Sequence, residues 1–142
     1  MMYNDKYGFN TYAIINKNWK IKFDKQFKDE IMLIIENLNG ETISSFSINE
    51  TLFCSILYGM GYVLKFFNKN NPDFILERIV SDSQYYKYNI KYDGTQMLLT
   101  YEEKYEEDNE CQQNCIIINI DEDSREKFQI FFDDVLKYET SF

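Results

Sequence analysis

Few side chains in this sequence are of the types that carry catalysis or bind metals. The 142 residues contain no histidine, which removes the usual general base, the Ser-His and Cys-His couples and most metal sites. Cys111 and Cys115 form a CxxxC pair, but two thiols without a histidine cannot complete an ordinary zinc site. Cys54 falls in an apolar run and is expected to be a small core residue. With three cysteines in all, no complete intramolecular disulfide set is possible, so the thiols are expected to be reduced, as in the cytoplasm.

Two other segments invite a chemical reading and fail it. Gly59-Met60-Gly61 sits inside a helical pattern and does not follow a strand, so it is no phosphate loop. Asp121-Glu122-Asp123-Ser124 has the look of a calcium loop, yet Glu126 stands where a glycine is needed and Phe132 where the bidentate glutamate is needed. Those acids fit better as the first turn of a helix, facing the positive end of its dipole. No catalytic residue, cofactor or metal is therefore expected. A carboxylate pair doing acid/base work would have to show itself as a pair in a concave pocket.

What stands out is Tyr101-Glu102-Glu103-Lys104-Tyr105-Glu106-Glu107-Asp108-Asn109-Glu110, in which six of ten residues are acidic. The bland account is a solvated loop that aids solubility and blunts a sheet edge. The functional account is a docking surface. Its carboxylates would pair with the Lys and Arg of a basic partner, and its tyrosines would add rigid contact area. The candidate contact residues are Tyr101, Glu102, Glu103, Tyr105, Glu106, Glu107, Asp108 and Glu110.

The elements that must position this segment follow from periodicity. Trp19, Ile21 and Phe23 alternate with Lys20 and Lys22, and with residues 12–15 before Asn16-Lys17-Asn18 they predict a hairpin. Phe27, Ile31, Ile34, Ile35 and Leu38 fit helical spacing, with Asp24 as cap and Gly40 as stop. A second helix is expected from a Ser47 capping box to about Phe67, with Gly59 and Gly61 tolerated for close approach of a neighbour. A third helix is expected from Asn71-Pro72 to Val80. Tyr85 to Tyr92 alternates, Asp93-Gly94 suits a two-residue turn, and Thr95 to Tyr101 continues, which pairs Tyr92 with Thr95 and Tyr88 with Leu99. Residues 115–120 are apolar on both faces and predict a strand that is central or covered by a helix. A final helix is expected over residues 124–138, capped by Asp123. The expected fold is α+β in the order ββααα-βββ-α: a single domain over residues 1–142, with an N-terminal hairpin and a three-stranded C-terminal meander forming antiparallel sheet packed on helices.

Composition supports a folded chain, at 44% hydrophobic and 18% aromatic residues, too apolar for an acidic tail. The apolar run at residues 51–67 is too short for a membrane span and contains Lys65. The start, Met1-Met2-Tyr3-Asn4-Asp5-Lys6, lacks the pattern of a signal peptide. Residues 1–72 hold eight Lys against seven acids, while residues 73–142 hold seven Lys and Arg against 17 acids. A surface of that kind opposes nucleic acid and anionic membrane and favours a basic partner.

In its general character, a compact, acidic, Tyr-, Asn-, Ile- and Lys-rich chain with the segment from Tyr101 to Glu110, the sequence resembles the small immunity proteins of bacterial polymorphic toxin and contact-dependent inhibition systems. That resemblance implies a cytoplasmic, non-enzymatic protein that neutralises a cognate toxin, often a basic nuclease, with no direct nucleic-acid contact. Two alternatives are a nucleic-acid-mimicking phage anti-defence protein, with acids spaced like phosphates, and a small enzyme using carboxylate chemistry. The sequence leaves the oligomeric state open.

Overall fold

Alternating apolar residues, more than helical spacing, organise most of this chain. The computed structural model describes residues 2–4, 10–27, 29–68, 73–105, 107 and 111–141. The chain divides into two compact units, Met1–Tyr58 with Ile130–Phe142, and Gly59–Gln129.

The first unit holds β1 (Met2–Asn4), β2 (Asn10–Asn16), β3 (Trp19–Phe27), β4 (Glu30–Asn37) and β5 (Thr42–Asn49), an antiparallel sheet paired in sequence order. Register sets Tyr12 against Phe23, Phe23 against Leu33, and Leu33 against Phe46, with Ile14, Ile21 and Ile35 in the next row. All seven are buried. The ring of Phe23 lies 5.2 Å from Phe53, 6.1 Å from Phe131 and 6.2 Å from Phe132, so this sheet face is closed by helical phenylalanines. Burying each such ring contributes about 1.5–3 kcal/mol.

The second unit holds β6 (Phe74–Ser81), β7 (Gln84–Tyr92), β8 (Gln96–Lys104) and β9 (Gln112–Asn119), again antiparallel and in sequence order. Tyr88, Ile90, Tyr92, Met97, Leu99, Ile116 and Ile118 form its buried face. Phe67 closes on Tyr92 at 5.1 Å, and the Tyr92 hydroxyl donates to the Ile120 carbonyl at 2.7 Å. Helix α1 (Phe53–Lys65) follows a 3-10 turn whose cap, Asn49, accepts from the Thr51 amide at 2.9 Å. Helix α2 (Arg125–Thr140) follows a 3-10 turn capped by Asp121, whose Oδ1 accepts from the Ser124 amide at 3.0 Å. Neither helix is long and apolar enough to cross a membrane, nor is any other among the described residues.

The expected order ββααα-βββ-α is therefore corrected. Among the described residues the structure runs five strands, one helix, four strands, one helix, in two antiparallel sheets. The helix expected from Phe27 to Leu38 is β4 with the end of β3. Ile31, Leu33 and Ile35 are buried in alternation, and a run this rich in isoleucine favours the pleated surface over the helix. Ser47 lies in β5, where Phe46 and Ile48 are buried on the side opposite Ser45 and Ser47. The helix expected up to Val80 is β6, and the cap predicted at Asn71-Pro72 lies outside the described residues. Residues 115–119 belong to an edge strand with one open face, since Ile117 is 48% exposed, and Ile120 follows the strand end. The close approach expected at the helix glycines does occur at Gly59, where a Cβ would collide with the Phe74 ring.

The second hairpin keeps its faces but not its register. Tyr92 pairs with Met97 and Tyr88 with Tyr101, two residues beyond expectation. The cause is Asp93, whose Oδ1 accepts from the Thr95 and Gln96 amides at 2.9 and 2.8 Å and from the Thr95 hydroxyl at 2.9 Å. This side-chain turn lengthens the loop, with Gly94 at φ 97°. Those amide donors also hold the Asp93 carboxyl below its ordinary range.

Candidate binding face on the second sheet

Pleating sorts the second sheet into two faces with different chemistry. One is the buried face described above. On the other, register places four rows across the strands: Ile79, Tyr85 and Lys104; then Glu77, Lys87, Glu102 and Gln113; then Ile75, Asn89, Thr100 and Cys115; then Lys91, Leu98 and Ile117. Ile79 is 63% exposed, so this face is open to solvent.

Two hollows mark it. One, of about 570 Å³, is lined by Lys87, Asn89, Thr100, Tyr101, Glu102, Gln113, Asn114 and Cys115. The other, of about 270 Å³ at the end of the sheet away from the Asp93 turn, is lined by Arg78, Val80, Gln84, Tyr85, Tyr86, Glu103, Lys104 and Tyr105. Tyrosine rings and cations thus share one shallow concavity.

The acids here are held by neutral donors. Glu102 Oε1 accepts from Gln113 Nε2 at 2.9 Å. The Tyr101 hydroxyl donates to the Glu103 carboxylate, and burial together with that bond raises the pKa of Tyr101. The Tyr85 hydroxyl lies 3.2 Å from Cys111 Sγ, a hydrogen bond that pushes the tyrosine up to about 12. Arg78, Lys87 and Lys104 make no ion pair among the described residues. Lys91 makes a long one, 3.7 Å to Asp73. The Oδ1 of Asn89 is buried without a hydrogen-bond partner among the described residues.

Among the described residues, those expected to form an acidic docking face do not share one face. Glu102 is on the open face, while Tyr101 and Glu103, one residue either side, project from the other. Tyr105 is exposed and lines the smaller hollow; Glu107 is exposed in a turn. Glu106, Asp108 and Glu110 lie outside the described residues. Sequence reasoning missed Arg78, because β6 was expected to be helical. It had Lys87 in view, since the alternation of residues 85–92 already set that lysine opposite the tyrosines. No cluster of three or more Cys, Asp or Glu suited to a metal occurs among the described residues.

Comparison with known proteins gives likeness only at the level of structure. No family model matches the chain, and no curated protein matches it. Among solved structures, WHY1 from Arabidopsis thaliana is 10% identical, with 92% of this chain and 84% of that chain covered and a TM-score of 0.44. The plant transcriptional regulator PBF-2 is 12% identical over 92% and 81%, with a TM-score of 0.44. The MRP1/MRP2 structure from Trypanosoma brucei is 10% identical over 94% and 86%, with a TM-score of 0.40. Likeness this distant carries no function to the present chain. The earlier expectation finds no support there: none of these three is described as an immunity protein, and one is a transcriptional regulator. The toxin-neutralising role, its basic toxin partner and the exclusion of direct nucleic-acid contact are withdrawn.

Proposed function

We propose that the chain is a nucleic-acid-binding protein that takes a single strand across the open face of its second sheet. The observation that carries this reading is local: on the open face Lys104 pairs across the strands with Tyr85, and the hollow they line at the end of the sheet is also bordered by Tyr105 and, from a row of the opposite face, by Arg78 and Tyr86. Lys87 lies one row further on. Single strands are gripped by that pair of features, cations for the backbone and π-faces for unstacked bases. Duplex DNA hides its base faces and suits the hollow less.

The net charge of -9 shapes the mode of binding. General attraction to phosphate is absent, so affinity must come from stacking and hydrogen bonds, with Lys87 and Lys104 on the open face and Arg78 at the end of the sheet as the phosphate contacts. Binding should therefore depend weakly on salt, with a slope of log K against log salt of about -2 for three contacts on a single strand. The protein acts by binding, not catalysis. A reducing compartment such as the cytoplasm suits its exposed thiols, Cys111 and Cys115.

The test is fluorescence anisotropy with labelled single-stranded and duplex oligonucleotides at low salt. Single strands should bind in preference to duplex, and the double variant K87E/K104E should weaken them about tenfold or more while its circular dichroism stays unchanged. Absence of binding at low salt, or a double variant that binds like the parent, would reject the reading.

A further inference from the structure

The larger hollow has a feature that simple backbone gripping does not use. Asn89 makes no side-chain hydrogen bond among the described residues, and its Oδ1 is buried. An unpartnered amide is costly when buried, and a β-sheet offers many positions where an apolar residue would serve as well. Nothing holds this amide in one orientation, so rotation about its Cβ–Cγ bond can turn either the oxygen or the nitrogen toward the hollow. Beside it stands Glu102, one row away on the neighbouring strand. Gln113 donates to Oε1 of that carboxylate and the Tyr85 hydroxyl also interacts with it, but each carboxylate oxygen can accept more than one hydrogen bond.

We propose that the hollow formed by Asn89 and Glu102 reads a base through its exocyclic amino group, favouring cytosine and adenine over uracil and thymine. The proposal rests on the nucleic-acid reading above and adds a specificity to it. An asparagine amide alone is ambidextrous: it matches the amino and ring-nitrogen edge of cytosine or, turned over, the imino and carbonyl edge of uracil. Glu102 breaks the tie. A carboxylate only accepts hydrogen bonds, so the two N–H bonds of an amino group can be shared between Asn89 Oδ1 and Glu102 Oε2. The carbonyl at the same place on uracil would face the carboxylate with no proton between them. Lys87, paired across the strands with Glu102, is left for the phosphate of the same nucleotide.

Cytosine against uracil is the sharp comparison, because the two rings stack alike and differ at that edge. Oligo(C) and oligo(U) of equal length should be titrated by anisotropy into the parent chain, Glu102→Gln and Asn89→Leu, with thermal melting of each variant as a fold control. The parent should bind oligo(C) about tenfold more tightly than oligo(U). Glu102→Gln should bring the two within about twofold, because its amide can donate to the uracil carbonyl. Asn89→Leu should weaken oligo(C) more than oligo(U). Equal affinity of the parent for both oligomers, or a preference that persists in both variants, would overturn the subsite and leave the nucleic-acid reading standing. No binding of either oligomer would overturn both.

Discussion

In the first unit, cations and carboxylates are matched. Glu36 takes Lys22 at 3.3 Å and Lys20 at 3.8 Å, and Glu139 takes Lys25 at 2.9 Å together with the Tyr12 hydroxyl. In the second unit, apart from a long Lys91–Asp73 pair, four acids turn to neutral donors: Asp93 to backbone amides, Glu102 to Gln113, Glu103 to Tyr101, Asp121 to the Ser124 amide. Arg78, Lys87 and Lys104 are consequently left unpaired among the described residues. Among the described residues, the half of the sequence with the balanced tally pairs Lys20, Lys22 and Lys25 with carboxylates, and the half with the large acidic excess is the one that offers cations without an ion pair. A charge count by segment measures neither. What matters is which donor each carboxylate has found.

The largest effect should come from breaking a matched cluster. Glu139→Leu leaves Lys25, at the edge of the first unit's core, and Tyr12, buried in it, without their shared acceptor. Hydrogen bonds to a charged group contribute about 1.5–3 kcal/mol each, and relaxation of Lys25 into water recovers part, so a loss of about 2–3 kcal/mol is expected from urea unfolding. Tyr12→Phe, which gives up one bond and keeps the ring, should cost about 1 kcal/mol. If Glu139→Leu unfolds at the parental midpoint, the cluster contributes no net stability and the contrast between the units loses its energetic content.

A smaller effect tests the other arrangement. Asp93→Ala removes the three hydrogen bonds of the turn and should cost about 1 kcal/mol at neutral pH. The sign of its pH dependence follows from the lowered pKa of Asp93. A carboxyl depressed in the folded state stabilises above its unfolded value and loses that contribution as pH falls through the folded one. Parent and variant should therefore differ at pH 7 and converge below about pH 3.8, the ordinary aspartate value. A difference that persists unchanged at low pH would assign the turn's stability to Gly94 and the chain path instead.

The same contrast explains what was legible in the sequence. The first hairpin was readable because Lys20 and Lys22 punctuate Trp19, Ile21 and Phe23, and Lys17 supplies the left-handed turn residue at φ 58°. The next strand was not, since Ile31, Ile34 and Ile35 satisfy helical spacing while Ile31, Leu33 and Ile35 satisfy the strand period. Burial in the sheet decided between them. Ser47 looked like a helix cap because a polar residue before an apolar run is ambiguous between a cap and the solvent side of a strand. The second hairpin misled by two residues of register, because the loop length was set by side-chain bonds from Asp93. Of the candidate face, Lys87 and Asn89 share one alternation in the sequence, whereas the neighbours Glu77, Ile75 and Ile79, and Arg78 on the opposite side, depended on β6 being a strand. Whether Glu103 would meet a lysine or Tyr101 is a question of three-dimensional neighbours that no spacing rule answers.

The smallest predicted effect discriminates most directly between a structural and a binding role for the open face. Asn89→Leu deletes a buried acceptor that has no donor and replaces it with apolar surface beside Ile75, its partner across the strands. An amide held in the core by its own bonds would lose stability on this change, as buried hydrogen-bonded groups do. An amide kept for a ligand should do the reverse, and the melting temperature should rise with a gain of up to about 1 kcal/mol. No matching gain is expected at Glu36 in the first unit, whose acid is engaged by Lys22 and Lys20. A stabilised Asn89→Leu chain that also binds oligo(C) less tightly would tie the free energy stored at this position to recognition. A destabilised one would mean that the amide has a structural partner in the folded chain, and the case for a base-reading hollow would lose its premise.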